Sequence, residues 1–131
     1  GGFGGILRDT GISNEIVSTA LKANLSPLLL GWFVAALIRL ATGSATVAMA
    51  TACSIVAPIA ATAGVAVRPE LLVLATGSGS LVFSHVNDAG FWLIKEYFGM
   101  TVGQTLKTWS VLETIISVLG LSFTLLLSTI L

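Results

Sequence analysis

The sequence predicts an all-α membrane protein, and three observations support that class. Hydrophobic residues make up 55% of the 131 residues and charged residues only 9%, whereas soluble domains carry about 25% charged residues. The mean hydropathy is +1.00. The apolar residues form long uncharged stretches that are interrupted by clusters of small residues. This composition excludes an ordinary soluble domain and a disordered tail, and it makes the lipid bilayer the expected surroundings of the chain.

Charge and ligand counts exclude several functions. Six basic residues balance six acidic residues, so no positive surface is available for phosphates and we expect no nucleic-acid partner. Cys53 and His85 are the single cysteine and the single histidine, which leaves no disulfide framework and no Cys- or His-based metal cluster. Residues 77–80 are rich in Gly and Ser but lack the Lys of a phosphate-binding loop. We therefore expect no enzyme, no metal and no cofactor.

Residues 1–24 predict a connecting or interfacial segment. Arg8 and Asp9 interrupt any apolar start, so no signal peptide is evident. The chain also begins without an initiator Met. We interpret it as a piece of a longer protein.

Residues 25–62 predict a re-entrant helical hairpin, because each arm is too short to span a bilayer. Ser26 followed by Pro27 suits a helix start. A helix from there to Leu40 would be about 22 Å long at 1.5 Å per residue, against a hydrocarbon core of roughly 30 Å. The small residues 41–46 favour a break in the helix, and a second arm of similar length follows.

Residues 71–92 predict a discontinuous transmembrane helix. Residues 71–75 suit half a helix, and the Gly- and Ser-containing residues 76–80 would break it. Residues 93–108 predict an interfacial segment because they are aromatic and polar. Residues 109–131 predict a simple spanning helix, since they hold the last long uncharged stretch.

One pentapeptide, Leu-Ala-Thr-Gly-Ser, occurs at residues 40–44 and again at residues 74–78. Paired interruptions of this kind indicate the substrate site of a transporter, although small residues can also serve only to pack helices closely. Helix N-termini at such breaks favour an anion. The hydroxyl groups that could bind it belong to Thr42, Ser44, Thr46, Thr76, Ser78 and Ser80.

Ionisable residues near the breaks are the candidates for proton coupling. Histidine is a residue type that can exchange a proton in the physiological range, and a desolvated Asp can do so as well, so either His85 or Asp88 could couple proton movement to substrate movement. The alternative places both at a membrane surface. Arg39 could bind a substrate carboxylate, extend to the surface or pair with an acidic group elsewhere. We interpret Glu113 as interfacial, with a proton relay as the alternative.

Three segments carry a family resemblance. Residues 43–48 (GSATVA), 83–92 (FSHVNDAGFW) and 104–114 (QTLKTWSVLET) resemble the C-terminal part of the gluconate permease family, which are gluconate:proton symporters of the ion-transporter superfamily. The resemblance covers nearly the whole chain. It implies a transporter of two inverted repeats, each with a re-entrant hairpin and a broken helix. This chain would supply one half, and the N-terminal repeat of the same polypeptide would supply the other.

The resemblance also implies positions for the site. It places Gly43 with Ser44 and Thr46 at the hairpin tip, and residues 76–79 at the broken helix, with both facing the substrate. The predicted substrate-binding residues are then Thr42, Gly43, Ser44, Thr46, Thr76, Gly77, Ser78 and Asn87.

The implied function is secondary transport of gluconate or a related sugar-acid anion with a proton. The implied location is the bacterial inner membrane, which the chain would cross several times. A homo-oligomer remains open. The alternative function is a channel or a structural membrane subunit without a substrate of its own.

Overall fold

The computed structural model describes residues 26–62 and 67–131, and every regular element in these two stretches is helical. This confirms the all-α class, while the predicted connecting segment, residues 1–24, lies outside the described residues. The elements in chain order are α1 (Pro27–Thr42), α2 (Ala45–Thr62), α3 (Pro69–Gly79), α4 (Ala89–Tyr97), α5 (Val102–Thr105), a π-helical segment (Leu106–Ser110) and α6 (Val111–Ile130).

Helices α1 and α2 form a hairpin with a two-residue connection. The Ser26 hydroxyl caps α1 by accepting a hydrogen bond from the Leu28 N–H at 3.3 Å. The helix ends where Gly43 adopts a left-handed conformation, with φ 69°, and its N–H donates to the Arg39 carbonyl at 2.9 Å. The break predicted within residues 41–46 is therefore confirmed at Gly43 and Ser44.

The core lies where α1, α2 and α3 meet. Its buried side chains are all aliphatic: Leu28, Leu30, Val34, Ala35, Ile38, Ala48, Ala52, Ile55, Val56, Ile59, Leu71, Leu72 and Ala75. Gly31 brings α1 and α3 close together, because a Cβ there would lie 3.0 Å from Leu72 Cδ1. Gly79 touches the backbone of Trp32, so its Cβ would overlap the Trp32 carbonyl. Small residues thus permit the close packing of these helices.

The interruption of the second helical unit lies later than predicted. The sequence placed it at residues 76–80, but α3 continues to Gly79 and the non-helical stretch is residues 80–88. The Thr76 hydroxyl donates to the Leu72 carbonyl at 2.9 Å, and the Ser78 hydroxyl donates to the Leu74 carbonyl at 2.7 Å. These bonds within the helix satisfy both polar side chains, so the small polar residues do not end it.

The last helix also begins earlier than predicted. Residues 102–108 were assigned to an interfacial segment, but Thr101 caps a new helix there in a reciprocal capping box with Gln104. The helix then runs through the π-helical segment to Ile130. Among the described residues it is the one helix that is long and apolar enough to cross a membrane, with 29 residues from Val102 to Ile130.

Candidate functional site

A buried arginine connects three parts of the fold. The Arg39 side chain is only 3% exposed. Its Nη1 donates to the Gly43 carbonyl at 2.6 Å, and its Nη2 lies 2.5 Å from Asp88 Oδ2 and 3.3 Å from Glu113 Oε2. We call Arg39, Asp88 and Glu113 the charged cluster. It ties the hairpin tip to the loop after α3 and to α6.

Asp88 is held by several donors at once. It is the N-cap of α4, where its Oδ1 accepts a hydrogen bond from the Gly90 N–H at 2.9 Å. Its Oδ2 accepts hydrogen bonds from Arg39 and from the hydroxyl of the fully buried Ser84. These donors and the N-terminal end of α4 all favour the ionised carboxylate.

The π-helical segment supports this loop from the other side. Trp109 donates from Nε1 to the Ser84 hydroxyl oxygen at 3.2 Å, and the Ser110 hydroxyl donates to the Ser84 carbonyl. Consecutive residues in an α-helix point about 100° apart, and here both reach the same serine from the wider π-helical turn. Such segments recur at functional sites. The loop that carries Asp88 is therefore held in place by side chains just before α6.

The hairpin tip and Asn87 form one packed unit. The Asn87 side-chain N–H donates to the Leu40 carbonyl at 2.9 Å. Its backbone lies against Gly43, where an added Cβ would overlap the Asn87 carbonyl. The Ser44 hydroxyl accepts from the Val47 N–H at 3.4 Å and so caps α2. The structure thus brings four predicted residues, Gly43, Ser44, Asn87 and Asp88, into one region.

Two further predicted tip residues have different surroundings. The Thr42 hydroxyl donates back to the Ile38 carbonyl at 2.8 Å and lies 3.4 Å from the Ser44 backbone nitrogen. Thr46 is exposed in the first turn of α2. The first backbone N–H groups of a helix have no acceptor within that helix, so this end of α2 presents donors beside an exposed hydroxyl.

The structure does not bring the second predicted set to the tip. Thr76 is fully buried; its Oγ1 lies 3.0 Å from Cys53 Sγ, and its methyl group faces Gly31. Gly31 lies about 18 Å before Gly43 along α1, at 1.5 Å per residue. The Ser78 carbonyl accepts a hydrogen bond from Ser117 on α6 at 2.6 Å. In the described residues, this part of α3 serves helix packing.

Gly77 also lines a groove on the surface of the described residues. It lines an open, mainly apolar groove of about 510 Å³, together with Met49 from α2 and Gly120 and Phe123 from α6. The groove is separate from the charged cluster.

The His85 side chain points to Phe83 rather than to the charged cluster, although the His85 carbonyl accepts a hydrogen bond from the Asp88 N–H at 2.9 Å. Its Nδ1 is 2.9 Å from the Phe83 carbonyl, and the two rings are 5.7 Å apart. Phe83 itself has a positive φ of 43°, and its N–H donates to the Thr114 hydroxyl at 3.2 Å. The two proton candidates share the loop after α3 but their side chains have different surroundings, since Asp88 is in the cluster and His85 packs on Phe83.

The pairing inside the cluster was not predicted. Arg39 and Glu113 are far apart in sequence, and Glu113 was interpreted as interfacial, yet its side chain is only 13% exposed and lies against Arg39. The signal that could have indicated this pairing was the small number of charged residues in the chain, because ionisable groups within apolar helices usually pair with one another. The support from Ser84, Trp109 and Ser110 was also missed, because it depends on the geometry of the π-helical segment.

These features define a class of protein. Short apolar helices, a long apolar helix that could cross a membrane and charges paired in the interior are typical of an all-helical membrane protein.

The chain belongs to the GntP family of permeases, whose family model matches residues 1–130. It is 56% identical over 130 residues, 99% of this chain, to the high-affinity gluconate transporter of Escherichia coli K12. It is 56% identical over 131 residues to the gluconate permease of Pseudomonas aeruginosa and 50% identical over 131 residues to the Gnt-II system L-idonate transporter of Escherichia coli. The chain spans 29% of the length of each of these relatives. No solved structure matches it. The resemblance seen in the sequence is confirmed.

Proposed function

We propose that this chain is the C-terminal part of a secondary transporter that moves gluconate or a related sugar-acid anion together with a proton. The observation that carries the proposal is the identity along the whole chain to proteins named gluconate transporter and gluconate permease. The relative named for L-idonate is 50% identical, and this supports sugar acids as the substrate class. The protein would lie in the bacterial inner membrane and cross it several times.

The substrate would bind at the hairpin tip. Three features support this: the donors at the start of α2, the hydroxyls of Ser44 and Thr46, and the amide of Asn87 beside Gly43. Amide and hydroxyl groups suit both a carboxylate and sugar hydroxyls, and a helix N-terminus favours negative charge. Thr42 would orient Ser44. Thr76, Gly77 and Ser78 would shape the helix that supports the tip.

The rest of the site would come from the other part of the same polypeptide. We propose that an N-terminal repeat supplies a second hairpin, and that α1 and α2 form a re-entrant hairpin whose tip, Gly43 and Ser44, lies at membrane depth. Irregular backbone at that depth is tolerated only where it is buried in protein or lines a watery cavity. Alternating access would then expose the tip to each side in turn.

The coupled proton would be carried near the tip, and the sequence offers the surroundings of Asp88 or His85 for it. The charged cluster that holds Asp88 is the better supported of these two places, because Arg39 links Asp88 to the Gly43 carbonyl. A change of charge there would act on the tip directly. The His85 side chain contacts Phe83, and the His85 carbonyl accepts a hydrogen bond from the Asp88 N–H at 2.9 Å.

The test is uptake of labelled gluconate by the full-length protein in a host that lacks its own gluconate uptake. Accumulation that an uncoupler abolishes is expected, with strong loss in Ser44→Ala and Asp88→Asn. Ser54→Ala is the matched control, since that hydroxyl is exposed on α2 and donates to the Thr51 carbonyl. Uptake that only equilibrates and ignores the uncoupler would favour the channel alternative. No uptake of any sugar acid by well-expressed protein would reject the proposal.

A further inference from the structure

The charged cluster carries one more negative than positive charge when all its members are ionised. Arg39 contributes one positive charge, and Asp88 and Glu113 contribute one negative charge each. The side chains are 3%, 14% and 13% exposed, respectively. An uncompensated charge in such a setting is costly, and a buried group commonly neutralises instead. One added proton would make the cluster neutral.

Both carboxylates depend on the same nitrogen. Asp88 Oδ2 and Glu113 Oε2 both lie against Arg39 Nη2, at 2.5 Å and 3.3 Å. The other terminal nitrogen, Nη1, is engaged with the neutral carbonyl of Gly43. The Nε of Arg39 is buried and has no acceptor within the described stretches. The guanidinium therefore does not form a separate bidentate pair with either acid.

The two carboxylates differ in how firmly their negative charge is held. Asp88 accepts hydrogen bonds from Arg39, Ser84 and the backbone of Gly90, and it caps α4. Glu113 accepts one hydrogen bond in the described residues, the long one from Arg39. Charge-assisted donors favour the ionised form, so neutralising Asp88 would forfeit more stabilisation than neutralising Glu113.

The other charged groups of the described residues do not compete for the cluster. The half-buried Lys95 pairs with the exposed Glu96 at 2.7 Å, and Arg68 lies 3.7 Å from Glu70 on the surface. His85 faces Phe83, and Lys107 is exposed. From the elements packed around Glu113, the charged groups that face it are Arg39 on α1 and Asp88 in the loop.

We infer that Glu113 is the group that takes up the coupled proton, while Asp88 stays ionised and positions Arg39. The inference rests on the proposed proton-coupled transport and names the residue that couples it. With Glu113 neutral, Arg39 and Asp88 form a balanced pair and the cluster has no net charge. With Glu113 ionised, it draws on the same Nη2 as Asp88. Arg39 also donates a hydrogen bond to the Gly43 carbonyl. The protonation state of Glu113 therefore affects the hairpin tip through the side chain of Arg39.

The experiment compares two modes of transport in full-length protein reconstituted in vesicles. Accumulation of labelled gluconate driven by a pH gradient requires the proton carrier to load and unload. Exchange of labelled for unlabelled gluconate across the membrane requires only that the loaded protein change its orientation. Glu113→Gln fixes a neutral side chain of nearly the same shape, so it separates the two modes.

Glu113→Gln is expected to lose accumulation above the outside concentration while still exchanging gluconate, and its exchange should no longer depend on pH. Glu113→Asp, which keeps a carboxyl group, should retain gradient-driven accumulation with a displaced pH profile. Asp88→Asn should impair both modes because it frees Arg39. Glu96→Gln is the matched control, since this glutamate is exposed and pairs only with Lys95 in the described residues.

Two results would overturn the inference. Gradient-driven accumulation by Glu113→Gln would show that the proton binds elsewhere. Loss of both modes in Glu113→Gln, with folded protein in the vesicles, would show that Glu113 has only a structural role. If the unsubstituted protein neither accumulates nor exchanges any sugar acid, the proposed function itself fails, and this outcome is distinct from both of the others.

Discussion

Asn87 packs on Gly43 so closely that no side chain fits at position 43. Its side-chain amide also donates to the Leu40 carbonyl, one turn before the tip, at 2.9 Å. The carbonyls at the end of a helix lack partners within the helix, and here one of them is satisfied by the loop that carries Asp88. The tip and that loop therefore form one structural unit, and a change in either should be felt in the other.

Gly43→Ala should destabilise the full-length permease and strongly reduce the sugar-acid uptake that we propose for it. The matched control is Gly99→Ala. Both glycines have a positive φ, 69° and 60°, but nothing lies within 4 Å of a Cβ at Gly99. The control should cost only the backbone strain, about 1–2 kcal/mol. The measurements are uptake and the thermal unfolding midpoint in detergent. Equal effects of the two substitutions would show that the contact with Asn87 is unimportant.

Arg39→Ala should destabilise the protein by roughly 3–5 kcal/mol, because it leaves two partly buried carboxylates without their cation. The matched control is Arg68→Ala, whose side chain is 51% exposed and lies 3.7 Å from Glu70. An exposed pair of this kind is worth roughly 0–1 kcal/mol. Denaturant unfolding of the full-length protein in detergent would compare the two. A small loss at Arg39 would mean that the acids find another partner in the complete protein.

Ser84→Ala should cost roughly 1–3 kcal/mol, because it removes a donor to Asp88 and leaves the Trp109 indole N–H without its acceptor. Ser122→Ala is the control, since that exposed hydroxyl donates only within its own helix, to the Val118 carbonyl at 2.8 Å. Tryptophan fluorescence during thermal unfolding would report both stability and the surroundings of Trp109. An unchanged midpoint in Ser84→Ala would contradict the importance of this bond.

Gly79→Ala should force α1 and α3 apart, since the new Cβ would overlap the Trp32 carbonyl, and backbone cannot move aside as a flexible side chain can. Overpacking of this kind typically costs about 1–3 kcal/mol. Gly103→Ala, at a helical position with nothing within 4 Å of the new Cβ, should be neutral or slightly stabilising. The thermal unfolding midpoints of the two variants, measured side by side, would show whether only Gly79→Ala destabilises the protein. A neutral Gly79→Ala would show that the two helices have room to separate.

The sequence was most informative where backbone chemistry is local. The helix start at Ser26 and Pro27 and the break at Gly43 follow from capping and from left-handed geometry, and the structure confirms both. The break predicted at residues 76–80 was displaced to residues 80–88, because Thr76 and Ser78 can satisfy their hydroxyls within α3. Composition at a site does not reveal whether a hydroxyl will bond to its own helix or to a ligand.

Long-range pairing was beyond the reach of local patterns. Arg39 had three possible roles in the sequence, and its two partners are 49 and 74 residues away. The scarcity of charged residues in an apolar chain indicated that those present would pair with one another, but it did not indicate which residues would form the pairs. Nor did any local signal indicate the π-helical geometry of Leu106–Ser110, because its residues are ordinary helix formers and its effect is a change of register.

The π-helical turn at Leu106–Ser110 makes this part of the chain sensitive to the insertion or deletion of a residue. A π-helical turn accommodates more residues than an α-helical turn, so losing one residue between positions 106 and 110 would restore an ordinary helix. Every side chain before the deletion would then rotate by about 100° relative to α6. Trp109 and Ser110 would also leave the wider turn from which both of them reach Ser84. A single-residue deletion here, which alters no charge, would dismantle the support of the charged cluster more thoroughly than most substitutions.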